Sequence, residues 1–202
     1  MQIIRHPSTS FVDTLRENVN NSQWVINNTR PAFDKGDFMR FGKVILGQYS
    51  HVTNEAGVDY VRQHLPEGYR IEILKVNDLA AMHIGSTILP LRKGLLVYNP
   101  HKVTKSEIRA HYILADWTLK PHPFVPQTPE YPSLYMTSPW LALNALVLDG
   151  KRVVVEASDD RTADWYEQLG MECIRCPFRH VNSIGGLFHC ATVDLVRESE
   201  TS

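Results

Sequence analysis

A chain of 202 residues, 43% apolar and 21% charged, has an ordinary globular composition. Its length suits one sizeable domain or two small ones, and a domain of this length buries roughly 70% of its unfolded surface. The net charge of −1 argues against electrostatic capture of nucleic acid or an anionic membrane, and no apolar run nears the roughly 18 residues of a membrane span. The opening MQIIRHPSTSFVDTL lacks a signal-peptide core, and three cysteines (Cys173, Cys176 and Cys190) are too few and odd in number for a disulfide framework. The expected localisation is therefore cytoplasmic, or mitochondrial for a precursor that has lost its leader.

The first pattern along the chain is a weak helical one, FVDTLRENVNN. A unit of strand, tight turn, strand, helix and strand then begins and is read three times. In the first copy, FDKGDFMRF and KVILGQY flank a turn at Gly42, and the helix TNEAGVDYVRQHL leads to the strand YRIEILKV. Val58, Val61 and Leu65 are spaced for one buried helix face. In the second, MHIGSTILPL and LLVYNP flank Gly94, and the helix TKSEIRAHYIL leads to DWTLKP. Thr104 with Glu107 fits a capping box, which satisfies two orphan N–H groups at a helix start. Residues 121–132 follow, with prolines at 121, 123, 126, 129 and 132, a stiff loop suited to covering a site.

In the third copy, PWLALNALVL and KRVVVEA flank Asp149-Gly150, read as a hairpin turn with both residues at φ > 0. Ser158 or Asp159 starts the helix DRTADWYEQLG, and MECIRC closes the unit. A fourth copy opens with SIGGLFHCATVDLVRE as a strand. The turn glycines are 52 and 56 residues apart, and a unit that cannot bury its own sheet face must stack on others. The expected fold class is thus α/β, built of about three and a fraction ββαβ units in a single domain, 1–202.

Three reactive side chains sit near the starts of these units. Asp34 opens the first, His83 lies on the first strand of the second, and Cys190 lies on the strand that begins the fourth. A free thiol is only about 3% thiolate at pH 7, so a nucleophilic cysteine needs a neighbouring imidazolium. The histidine in turn needs a carboxylate to fix its tautomer. Strand alternation would put Cys190 and Phe188 on one face and His189 on the other, which disfavours His189 as the proton shuttle. By the same parity only one of Asp34 and Asp37 faces the site. Taken singly, each residue reads as well as a core or structural group.

The segments HIGSTILPLRKGLLVYNP, NSIGGLFHCATVDLVRE and MTSPWLALNALVLDGKRVVVEA resemble the histidine, cysteine and intervening motifs of the glycine amidinotransferase family. FDKGDFMRFGKVILGQYSHVTNEAGVDYVRQHL resembles that family's aspartate-bearing segment, and the likeness runs from about residue 28 to 198. The resemblance implies a pseudo-fivefold α/β propeller and transfer of arginine's amidino group to an amine acceptor, with release of ornithine and no cofactor. It also implies Cys190 as nucleophile, His83 as general acid/base and Asp34 as its orienting carboxylate. Met136, Thr137 and Ser138 match substrate-contacting positions, and Lys102 matches a basic residue that holds a substrate carboxylate. Partners are then small molecules rather than nucleic acid or membrane, with a homodimer or a complementing chain left open.

Two local departures stand out. Gly85 occupies the place of the family's aspartate two residues after the histidine, and Leu187 interrupts the glycine run before the cysteine. The chain also holds fewer than the five expected units. Three alternatives compete. A hydrolase of the same superfamily would use water as acceptor, a zinc module would use Cys173, Cys176 and His180, and a non-catalytic subunit would use none of these groups.

Overall fold

The structure is a computed structural model that describes residues 26–78, 82–123, 142–182 and 185–194. Two compact units make up the chain: Met1–Ile84 with His101–Ala115, and Gly85–Pro100 with Asp116–Ser202.

The described strands form three separate three-stranded sheets, each in sequence order. β1 (Phe38–Phe41), β2 (Val44–Gly47) and β3 (Arg70–Ile73) make the first, in the first compact unit. β4 (Ile88–Arg92), β5 (Leu95–Tyr98) and β6 (Thr118–Pro121) make the second, in the second compact unit. β7 (Leu146–Val147), β8 (Arg152–Glu156) and β9 (Glu172–Cys176) make the third, also in the second unit. In every sheet the first two strands are antiparallel and the third runs parallel to the second. A parallel return needs a crossover. Helices α1 (Glu55–His64), α2 (Lys105–Arg109) and α3 (Asp160–Gln168) lie in those crossovers, and a short α4 (Arg179–Asn182) follows β9. The ββαβ repeat read from the sequence is therefore present three times.

Helix starts follow side-chain chemistry. Thr104 and Glu107 make the expected capping box, while Asn54 and Asp159 cap α1 and α3 by accepting from Gly57 N and Thr162 N. The hairpin turns at Gly42 (φ 62°) and Gly94 (φ 83°) use the left-handed backbone that glycine supplies. The third turn departs from expectation, because neither Asp149 nor Gly150 has positive φ. There the Asp149 carboxylate accepts from Lys151 N (2.9 Å) and Arg152 N (2.8 Å) and pairs with the Arg152 guanidinium. These three donors hold the Asp149 carboxyl down at about 2.

The core of the second unit joins its two sheets. Leu89, Leu91, Leu95 and Val97 pack with Leu143, Val147, Val153, Val155, Ala163 and the fully buried Tyr166. Burying an aliphatic side chain of this size contributes roughly 1.5–3 kcal/mol, so this cluster dominates the unit's stability. In the first unit Leu46 of β2 is fully buried, and so is Val58 of α1, the first of the three residues spaced for one helix face. Val61 and Leu65 are only partly covered.

Candidate active site

Asp34 and His83 are brought together within the first unit, 49 residues apart in sequence. Asp34 caps the 3-10 turn Lys35–Asp37, where its Oδ1 accepts from Gly36 N at 2.7 Å. Its other oxygen, Oδ2, lies 3.5 Å from His83 Nε2. The His83 imidazole is the first cause of a lowered Asp34 pKa, helped by the Gly36 N–H and opposed by partial burial. Asp34 thus stays ionised and can hold Nε2 of the ring.

His83 does not lie on a strand, contrary to the sequence expectation. It precedes the 3-10 turn Ile84–Ser86, and β4 starts only at Ile88. Its φ is 60°, the one positive value outside glycine among the described residues. Such a conformation costs on the order of 1–3 kcal/mol in a non-glycine residue, and something must hold it. The observed contact is a hydrogen bond from His83 N to Asp37 Oδ1 at 3.0 Å. The ring also lies flat against Gly36, where an added Cβ would come within 2.6 Å of His83 Cδ2.

Asp34 and Asp37 do play different parts, but turn geometry rather than strand parity separates them. Asp34 is half-buried beside the ring. Asp37 is fully buried, and burial raises its pKa against the hydrogen bonds of Ser50, Thr53 and Gln48.

Cys190 belongs to the second unit and lies in a turn, not on a strand. Ala191 N donates to Leu187 O at 3.1 Å, which closes one helical turn around the cysteine. The expected alternation fails accordingly. Phe188 is buried at 5% exposure, its ring tilted against that of Phe178 at 4.6 Å between centroids, while Cys190 is exposed and His189 half-buried. Asn144 supplies what holds the turn. Its Oδ1 accepts from Leu187 N (3.2 Å) and Cys190 N (3.1 Å), and its backbone carbonyl accepts from His189 N (3.1 Å). Gly186 makes the room, since a Cβ there would stand 2.9 Å from Cys190 Cβ.

Gly85 is buried with ordinary φ, and a Cβ built on it meets Asn144 Nδ2 at 3.1 Å and His189 Nδ1 at 3.5 Å. The position therefore has two nitrogen-bearing neighbours and no acid. Lys102 is buried and paired with Asp78 (3.0 Å) in the first unit. Met136, Thr137 and Ser138 lie outside the described residues, as do most of the proline-rich loop and the N-terminal helical pattern. Among the described residues no three His, Cys, Asp or Glu side chains form a metal-holding group. Cys173 donates instead to Ala163 O, and burial pushes its thiol up to about 11. No helix among the described residues is long and apolar enough to cross a membrane.

Thr53, Asn144, Gly36 and Gly186 were not singled out from sequence as parts of the site, and Asp37 was weighed only as the alternative to Asp34. The two glycines carry the only usable signal, since each stands next to or near a reactive residue where a close approach demands the smallest side chain.

No family model matches the chain. Among curated proteins it is 43% identical over 176 residues to an L-arginine:L-lysine amidinotransferase of Pseudomonas savastanoi pv. phaseolicola, covering 87% of this chain and 47% of that protein. It is 38% identical over 179 residues to the mitochondrial glycine amidinotransferase of Gallus gallus, covering 87% and 41%. The solved structure of SxtG, an amidinotransferase of the saxitoxin biosynthetic pathway from Microseira wollei, superposes with a TM-score of 0.84 at 33% identity, covering 96% of this chain and 57% of that one. The chain spans under half the length of the curated relatives it matches.

Proposed function

The chain belongs to the amidinotransferase family, and on that premise we propose that it carries the cysteine, histidine and aspartate of an enzyme moving the amidino group of L-arginine to an amine acceptor. The observation that carries the reading is the Asp34–His83 pair, an ionised carboxylate set against the imidazole Nε2 at the positions of the family motif.

Arginine's guanidinium carbon is a poor electrophile because three nitrogens share its charge. Thiolate attack becomes feasible when the group is held protonated and desolvated. In this reading Cys190 Sγ forms a bond to that carbon. The carbon–nitrogen bond to the ornithine moiety breaks as His83 delivers a proton to the leaving nitrogen. An amidino-cysteine remains. The acceptor amine then attacks the same carbon, His83 takes its proton, and the thiolate departs. General acid/base help of this kind contributes roughly 10²–10⁴ in rate. The sequence resemblance adds Met136, Thr137, Ser138 and Lys102 as substrate contacts. For Lys102 to serve, its ion pair with Asp78 must be shared with the substrate carboxylate or exchanged for it. Glycine or a related amine is the acceptor, and further ββαβ units, in the same polypeptide or in a complementing chain, complete the guanidinium clamp. Small water-soluble substrates fit a cytoplasmic or mitochondrial matrix setting.

The test is mass spectrometry of the purified chain after incubation with arginine. An amidino adduct on the peptide bearing Cys190, lost in Cys190→Ala, is the expected result. An adduct elsewhere, or none when a complementing N-terminal portion is also present, refutes the assignment. Citrulline formed without any amine would transfer the reading to a hydrolase.

A further inference from the structure

The reaction above makes no use of the most thoroughly buried carboxylate among the described residues of the first unit. Asp37 is 0% exposed, and so are the three side chains that face it, Gln48, Ser50 and Thr53. Its Oδ1 accepts from Gln48 Nε2 (2.9 Å) and from His83 N (3.0 Å). Its Oδ2 accepts from Ser50 Oγ and Thr53 Oγ1, each at 2.6 Å. Four donors thus converge on one carboxylate, one of them the backbone N–H of His83.

The two hydroxyls have little choice of partner. Ser50 Oγ already accepts from Val52 N (3.0 Å) and Thr53 N (3.2 Å), and Thr53 Oγ1 accepts from Asp34 N (3.0 Å). Their hydrogens are left to donate toward Oδ2. An acceptor-only group suits that position, whereas an amide would bring its own hydrogens against them. The cluster's two outer ends are the two members of the proposed pair. One bond reaches the backbone of Asp34 through Thr53, and the other reaches the backbone of His83 directly, across 46 residues of sequence.

We propose that Asp37 is a positioning residue whose carboxylate pins His83 in its left-handed backbone conformation and, through Thr53, pins Asp34, so that the imidazole Nε2 is presented to Asp34. The inference rests on the reading of Asp34 and His83 as orienter and proton shuttle. A rotation of φ away from 60° would re-aim the Cα–Cβ bond of His83 and carry the ring off Gly36 and Asp34. A merely structural Asp37 would stabilise the loop around Ser50 without governing which ring nitrogen of His83 carries the proton.

Ring-nitrogen NMR of the full chain with ¹⁵N-labelled histidine separates the two roles, with His83 assigned among the nine histidines by a His83→Gln variant. In the parent, neutral His83 is expected in the Nε2–H tautomer, donating to Asp34. Asp37→Ala is expected to change the tautomer ratio about tenfold, the worth of one hydrogen bond to a charged group, while the other histidine signals stay in place. An unchanged His83 ratio in folded Asp37→Ala overturns the inference. If that variant does not fold, Thr53→Val and Ser50→Ala, each removing one bond to the carboxylate, take its place. A ratio shifted in Thr53→Val supports positioning, and an unchanged ratio in both overturns it. Asp34→Asn is the reference: if it leaves the His83 tautomer where it was, the Asp34–His83 pair itself fails and the inference falls with it. If Asp34→Asn moves the ratio and the Asp37 series does not, only the role of Asp37 is refuted.

Discussion

Replacing Gly36 by alanine should dislodge the His83 ring without touching a polar group. Gly36 has ordinary φ, so alanine's backbone is permitted and the effect is steric. The new Cβ would stand 2.6 Å from His83 Cδ2, 2.8 Å from Cγ and 2.9 Å from Nε2, against an ordinary carbon contact of about 3.5–4.0 Å. The ring must therefore retreat by about 1 Å, and overpacking of this kind costs roughly 1–3 kcal/mol. The Nε2–Oδ2 separation is already 3.5 Å, so retreat removes the main cause of the lowered Asp34 pKa. The Asp34 midpoint should rise toward the ordinary carboxylate range. The sign for stability follows. A carboxylate whose folded pKa lies below its unfolded value stabilises fully above the unfolded pKa, and that contribution is lost as pH falls through the folded one. Gly36→Ala should forfeit it at neutral pH.

The assay for Gly36→Ala is the carboxyl ¹³C titration of Asp34, with Gly42→Ala as control. Gly42 has φ 62° and nothing within 4 Å of an added Cβ, so alanine there costs about 1 kcal/mol of backbone strain far from His83. An Asp34 midpoint unmoved in Gly36→Ala, or moved equally in Gly42→Ala, would refute the reasoning. If the proposed chemistry holds, the same displacement should slow adduct formation on Cys190 on the order of 10²-fold.

Three further outcomes are expected. Iodoacetamide at pH 8 should label exposed Cys190 first and Cys173 last. A thiol pushed up to about 11 is only about one part in a thousand ionised there, and peptide mapping over time reads the order. Asn144→Ala should leave Leu187 N and Cys190 N without their shared acceptor, at a cost of about 1–3 kcal/mol each. It should loosen the turn at Cys190, seen as faster amide exchange at 187–191 with the protection of β8 retained. Gly85→Asp keeps an ordinary φ, but its Cβ would stand 3.1 Å from Asn144 Nδ2, so Asn144 must yield by a few tenths of an ångström, and the new side chain starts 3.5 Å from His189 Nδ1. The His189 titration should move upward, and ornithine release from arginine in the presence of an N-terminal complement should increase; a fall in both would reverse the reading.

The repeat was legible because it is local. Alternating apolar runs, glycines at 42 and 94, and the Thr104–Glu107 cap each act within a few residues, and each reappears in the three-stranded sheets and their crossover helices. The third hairpin was placed correctly for a reason other than the expected one. Its turn depends on where the Asp149 side chain points, and the Asp-Gly pair alone could not distinguish that from a positive-φ turn.

Around the reactive residues the local signal misled. His83 and Cys190 stand next to strand-like runs, so period-2 patterning assigned both to strands, yet one occupies a left-handed turn and the other a helical turn. In each case the deciding bond comes from a buried polar side chain 46 residues away, Asp37 for the backbone of His83 and Asn144 for that of Cys190. By itself the sequence determined the order of the ββαβ units, the helix caps and the chemical types of the reactive groups, because these follow from neighbouring residues. The conformations that aim those groups were decided only in the tertiary structure, since a buried carboxylate or amide can override a strand's periodicity once folding brings it to a distant backbone N–H in surroundings where that N–H must be satisfied.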